Sequence, residues 1–259
     1  VVRRENPTDG RKTSVFTYLA PIDSNINPHM GEVLSFSSET MPIFPEGQSP
    51  YSRVSEYGTL LKLYEYSTSG FGASHILMKN GLMGQLDLHL TDLALPIRLF
   101  ECRKFKGGQG SFETNLTGLN VRLEENKSNP YSFNFSFLNT DTGDMEEIKG
   151  NIFVFKKGKS QTYRRNEAVV FSVNGQTHGF LEKSFMRRKT VKLGYIKDDV
   201  LVIVDCSDMS KRGIELLFMP SRDRLREGNL KKLMEKQLTD VLNNNPELKK
   251  LSQKRREEE

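Results

Sequence analysis

The run Val200-Leu201-Val202-Ile203-Val204-Asp205-Cys206 restricts the fold more than any other part of this chain. Its aliphatic and mostly β-branched residues favour a strand, and no polar residue falls at alternate positions to give one face to water. The run therefore predicts a strand buried on both faces, in a sheet with other structure covering each side. A chain of 259 residues can supply that cover, as one large or two ordinary domains.

The residues around this strand fit such a sheet. Gly118–Glu124, Tyr131–Leu138, Gly150–Lys156 and Ala168–Asn174 read as short strands, separated by turns such as Asn139-Thr140-Asp141-Thr142-Gly143-Asp144. The pattern predicts an antiparallel sheet. Phe133, Phe135 and Phe137 alternate, which makes one face aromatic. Core packing accounts for that better than base stacking, although Lys156, Lys157, Lys159, Arg164 and Arg165 are close in sequence. Further on, Leu230, Leu233, Met234, Leu238, Val241 and Leu242 recur at helical spacing. Asn243-Asn244-Asn245-Pro246 stops that helix, and Asn245 caps a short basic one, Glu247 to Arg256, with Pro246 at its first position.

The first part of the chain has a different composition. Val1–Arg4 and Thr13–Leu19 read as strands on either side of the turn cluster Asn6–Gly10. Pro21, Pro28, Pro42, Pro45 and Pro50 exclude a long helix between Ile22 and Tyr51 and leave room only for short strands such as Val33–Phe36. Tyr57–Tyr66 is a strand entered through Gly58, Ser74–Leu93 is leucine-rich at helical spacing, and Leu95–Cys102 returns as a strand. Strand, helix and strand imply an α/β sandwich. Phe105–Gly110 (Phe-Lys-Gly-Gly-Gln-Gly) reads as a hinge, and it lacks the Lys-Ser/Thr ending of a phosphate-binding P-loop.

Composition narrows the function classes. A formal charge of +5 and a pI near 9.1 permit an anionic ligand without requiring nucleic acid. Cys102 and Cys206 both fall in strand-like runs, so free core thiols and a reducing, cytoplasmic compartment are expected. No secretory signal is expected, and no apolar run approaches the ~18 residues of a membrane helix. The sequons at Asn115, Asn126 and Asn134 are accordingly read as chance, and no membrane partner is expected. His75 and His89 have no second ligand type at metal spacing, so no metal site is expected.

Leu217-Phe218-Met219-Pro220-Ser221-Arg222-Asp223-Arg224-Leu225-Arg226 carries the densest chemistry. Ser221 is a good helix N-cap after Pro220, which predicts Arg222, Arg224 and Arg226 within the first two turns of a helix. Cations there oppose the positive end of the helix dipole, and a bound anion would relieve the conflict.

These pieces resemble a known superfamily. Gly58-Thr59 opening a strand, then a helix, then Pro96-Ile97-Arg98-Leu99-Phe100-Glu101, is similar to the end of the nucleotide-binding domain of GHKL ATPases. That superfamily comprises gyrase, the ninety-kilodalton heat-shock chaperones, histidine kinases and MutL. Val169–Gln176 resembles the strand and Asn-Gly turn of the MutL transducer domain, with Gln176 where that family usually has arginine. The strand ending in Val204-Asp205, followed by a loop with Ser221-Arg222-Asp223, looks like the chaperone middle domain, where the motif is Ser-Arg-Glu.

The resemblance implies an α+β protein in which residues 1–105 form the C-terminal part of a GHKL α/β sandwich. Residues 111–259 would form a transducer domain of the ribosomal-protein-S5-like type with C-terminal helices. It implies that Gly58 and Thr59 help hold the adenine end of ATP and that Arg222 reaches the γ-phosphate. The resemblance places the superfamily's Glu-x-x-x-Asn helix, Asp-x-Gly adenine motif and glycine-rich lid upstream of the matched stretch. ATP and Mg²⁺ are thus expected only in a protein that also carries those motifs, and neither is expected to bind this chain tightly by itself. Expected partners are a second copy, a protein client, or components of a bacterial DNA-restriction or phage-defence system. A non-enzymatic nucleic-acid-binding module is the alternative, resting on Arg187-Arg188-Lys189, Lys249-Lys250 and Lys254-Arg255-Arg256.

Overall fold

The computed structural model describes the strands at residues 2–4, 14–20, 32–38 and 58–60, and then residues 81–101, 112–125, 131–160, 163–164 and 166–258. The chain divides into two compact units, Val1–Gly70 and Phe71–Glu259. The expected hinge at Phe105–Gly110, His75 and Cys102 lie outside the described residues.

In the first unit β1 (Val2–Arg4), β2 (Ser14–Ala20), β3 (Glu32–Ser38) and β4 (Gly58–Leu60) form a sheet ordered β3-β2-β1-β4, antiparallel at every pairing. The strand expected at Val33–Phe36 lies within β3.

The second unit begins, among the described residues, with α1 (Leu82–His89), inside the leucine-rich segment expected to be helical. A two-stranded ladder of β5 (Arg98–Glu101) and β6 (Phe112–Asn115) follows, then α2 (Leu119–Glu125). Here the structure overturns an expectation: Gly118–Glu124 reads as a strand and is folded as a helix. Leu119 and Leu123 are four residues apart and both fully buried, so a helical turn sends both into the core, whereas a strand would also bring them to one face but leave Val121 there too. Val121 is instead exposed. Over so short an apolar run both periods fit the sequence, and the packing partner decides.

The main sheet comprises β7 (Tyr131–Leu138), β8 (Met145–Val154), β9 (Glu167–Val173), β10 (Gln176–Glu182) and β11 (Val200–Asp205) in the order β10-β9-β11-β8-β7. It is mostly antiparallel; only β9 and β11 run parallel. β11 is central and divides its side chains between two cores. Val200, Val202 and Val204 join one with Ile148, Ile152, Val169 and Phe171, while Leu201 and Ile203 join the other with Leu119, Leu123, Phe153 and Val170. This is the burial on both faces that its sequence demands.

Phe133, Phe135 and Phe137 lie on the first of these faces, with neighbouring ring centroids 6.0 and 6.1 Å apart. Phe133 covers Gly150 directly across the ladder, where an added Cβ would stand 2.5 Å from its ring. The aromatic stripe thus packs on the core, with Phe137 buried and Phe133 and Phe135 half-buried.

Three helices complete the unit: α3 (Lys211–Leu217), α4 (Asn229–Asn244) and α5 (Pro246–Glu257). Leu230, Met234, Leu238 and Leu242 of α4 are buried against the first face, each worth about 1.5–3 kcal/mol of transfer free energy. Asn245 Oδ1 accepts from the backbone N–H of Glu247 and Leu248 at 3.0 and 3.1 Å, as its position before Pro246 predicts. Among the described residues no helix is long and apolar enough to cross a membrane. The chain is thus a mixed α+β protein with a largely antiparallel five-stranded sheet and C-terminal helices.

Candidate functional site: the Arg222 loop

The segment expected to start a helix at Ser221 is instead a tight loop. Phe218 and Leu225 form a bridge, Met219 N–H donates to Arg224 O at 3.1 Å, and Arg226 N–H donates to Leu217 O at 2.8 Å. Its tip is a turn in which Arg222 N–H donates to Met219 O at 2.9 Å, with Pro220 at the position whose φ it presets. Arg222 then takes φ +55°, a left-handed conformation that stops helical propagation. Ser221 Oγ, the expected cap, donates to the Asp223 carboxylate. The reason for the loop is tertiary. Leu225 is buried in the core, and the backbone of Arg224 and Leu225 lies so close to Gly179 of β10 that an added Cβ there would sit 3.1 Å away. The helix starts only at Asn229.

Arg222, Arg224 and Arg226 are all exposed. Arg222 Nη1 donates to Gln176 Oε1 at 3.0 Å, and among the described residues no carboxylate is within ion-pair distance of it. Gln176 stands at the start of β10, after a two-residue turn in which Asn174 and Gly175 have φ +51° and +77°. Both positive values match a primed hairpin turn, as Asn-Gly predicts. Gly175 is needed a second time, because a Cβ would lie 2.6 Å from Asp92 O. Asp92 N–H donates to Gly175 O at 3.1 Å, and Thr177 Oγ1 donates to Leu88 O at 2.7 Å, so the end of α1 and the chain after it clamp this turn.

His178 lies under the loop, buried, with its ring edge-on to Phe218 at 5.3 Å. Burial pushes its pKa below the ordinary histidine value, and the Arg222 charge lowers it further.

The structure thus joins two residues flagged separately in sequence, Gln176 and Arg222, across 46 positions. Gly58 and Thr59 lie on β4 of the first unit, paired in register with Arg4 and Arg3 of β1. Sequence reasoning missed α3, which delivers the chain to the loop. Its signal is Ser210, whose Oγ accepts from Gly213 N–H at 3.0 Å as an N-cap. It also missed Glu146, which accepts from Ser210 N–H at 2.9 Å and from Ser210 Oγ at 3.0 Å. Nothing local marks a glutamate on β8 for that role. Cys206 is a free, fully buried thiol whose pKa burial raises well above the ordinary value. Among the described residues there is no group of three or more His, Cys, Asp or Glu side chains placed to hold a metal ion. His89 is exposed.

The Arg222 loop can present a planar, permanently charged donor pair to an anion, and the neutral Gln176 amide holds it less strongly than a carboxylate would. No family model, no curated protein and no solved structure matches the chain.

Proposed function

We propose that this chain is the coupling portion of a GHKL-type ATP-binding protein, converting γ-phosphate occupancy into domain rearrangement or contact between copies. In this reading residues 1–105 supply the end of the nucleotide-binding domain, with Gly58 and Thr59 toward the adenine. Residues 111–259 supply an S5-like transducer that carries Arg222 to the γ-phosphate. ATP and Mg²⁺ belong to the protein that also holds the superfamily's Glu-x-x-x-Asn and Asp-x-Gly motifs, and a bacterial DNA-restriction or phage-defence system is the setting it fits.

The observation that carries this reading is Arg222 itself. An exposed guanidinium sits at the tip of a loop rooted in the core, in a left-handed backbone, with a neutral amide for a tether. A phosphate would exchange that tether for a charge-assisted bond, a two-position switch of the kind that couples ligand state to docking. The order of the resembling motifs along the chain supports it as well.

The test is ATP turnover by the protein that contains the catalytic motifs together with this chain. Arg222→Ala should slow hydrolysis by on the order of 10-fold or more, the scale of one charge-assisted contact worth ~1.5–3 kcal/mol. Arg222→Lys should rescue little, because a lysine cannot offer the planar donor pair. ADP affinity should hold, and Arg226→Ala, at the base of the loop, is the control. Hydrolysis by Arg222→Ala at the parent rate would remove the chemical basis of the proposal.

A further inference from the structure

The basic runs of the C-terminal region converge. The turn at Gly194–Ile196 packs beside α5, and Lys192 and Tyr195 from that side meet Lys249, Gln253 and Arg256 from the helix across a groove of about 580 Å³. Asn243 closes one end, its Nδ2 donating to Thr190 O at 2.7 Å and tying the end of α4 to the wall.

The cations of these runs are not equivalent. Arg188 is held by Glu235, Lys250 by Glu247, and Arg255 by Asp199 and Glu258. Among the described residues Lys192, Lys249 and Arg256, the cations that line the groove, have no such partner; Arg187, Lys189 and Lys254 are likewise without one but do not line it. The carboxylate of Glu257 also lines it, and accepts from Gln253 Nε2 at 3.1 Å. Lys192 has φ +59°, where its own N–H and that of Val191 both donate to Arg188 O at 2.9 Å. Glycine adopts that conformation more cheaply, so a backbone penalty accompanies a lysine presented at this spot. Lys249 and Arg256 are seven residues apart on one face of α5, roughly 10 Å along its axis. That span suits successive phosphates of a polymer better than one small anion. Tyr195 leaves 45% of its surface exposed beside them.

We propose that this groove binds single-stranded nucleic acid, with Lys192, Lys249 and Arg256 meeting successive phosphates and Tyr195 stacking on a base. A duplex hides the faces of its bases, whereas a single strand offers a phosphate row and a free ring face together. The proposal stands independently of the ATP reading.

The test is fluorescence anisotropy of the 259-residue chain with a labelled oligothymidylate of about 12 nucleotides, over a range of salt. Three phosphate contacts to a single strand predict a log–log salt slope near −2. Lys249→Glu with Arg256→Glu should weaken binding at least ~10-fold and flatten the slope by about 1.4. Tyr195→Ala should cost about 5- to 150-fold. Lys211→Glu with Arg212→Glu makes the same change of net charge on α3, away from the groove lining, and should leave affinity near parental. If the charge-reversed protein melts early, Lys249→Gln with Arg256→Gln replaces it. Any of four results overturns the proposal: no binding at low salt; equal loss in the α3 control; a duplex bound as tightly with Tyr195→Ala silent; or binding to phosphatidylserine vesicles without binding to the oligonucleotide.

Discussion

Glu146 anchors the start of α3, the helix that leads to the Arg222 loop, and its environment allows a worked prediction. It is fully buried on β8 and accepts from Asn139 Nδ2 at 2.9 Å, Ser210 N–H at 2.9 Å and Ser210 Oγ at 3.0 Å. The same Ser210 caps α3, and an added Cβ at Gly213 would stand 2.2 Å from Glu146 Oε1. Replacing Glu146 by alanine strands two donors that cannot turn away, the Asn139 amide and the Ser210 N–H. At about 1–3 kcal/mol for each orphaned buried group, the loss should be ~2–6 kcal/mol. Glu146→Gln keeps the shape but must point an N–H₂ at one of its donors, so it should lose about 1–3 kcal/mol.

Gly213→Ala sharpens the test. In the parent protein the new methyl must displace the carboxylate or the helix, which outweighs the ~0.5–1 kcal/mol that alanine normally gains over glycine inside a helix. In the Glu146→Ala background the methyl enters vacated space, and the same change should be neutral or stabilising. Urea unfolding of the four proteins, with m values compared, gives the coupling energy. An equal penalty for Gly213→Ala in both backgrounds would refute the packing argument, and with it the account of how α3 places the loop.

Two other outcomes follow from the charges. Arg222→Gln removes the cation that helps depress His178, so the His178 ring resonances should titrate at higher pH than in the parent, and an unchanged titration would mean that the loop does not sit over the ring. Asp198, held by Lys183 at 2.8 Å and Lys197 at 2.9 Å, has its pKa lowered to about 2, chiefly by the hydrogen bond from Lys183. A depressed carboxyl stabilises the fold above its unfolded pKa, and that contribution fades as pH falls toward 2. Asp198→Asn should therefore flatten melting temperature against pH between about 4 and 2, with the effect kept small by solvent screening.

The elements legible in the sequence are those whose signals are local. An aliphatic run without polar alternation fixes β11 as a two-sided core strand. Asn174-Gly175 fixes the turn between β9 and β10, because positive φ costs those residues little. The repeat from Leu230 to Leu242 fixes α4, and Asn245-Pro246 fixes the start of α5. Tertiary structure decided the rest. Leu119 and Leu123 suit a strand or a helix, and the sheet face they cover chose the helix. Ser221 has the chemistry of an N-cap, yet burial of Leu225 beside Gly179 folds its segment into a loop and puts Arg222 on Gln176. The groove likewise joins Lys192 to Lys249 and Arg256, residues that sequence separates by more than fifty positions. Hydrogen-bond propensity and periodicity act over a few residues, so they specify elements; burial acts between elements, and only the assembled core determines which side chains meet.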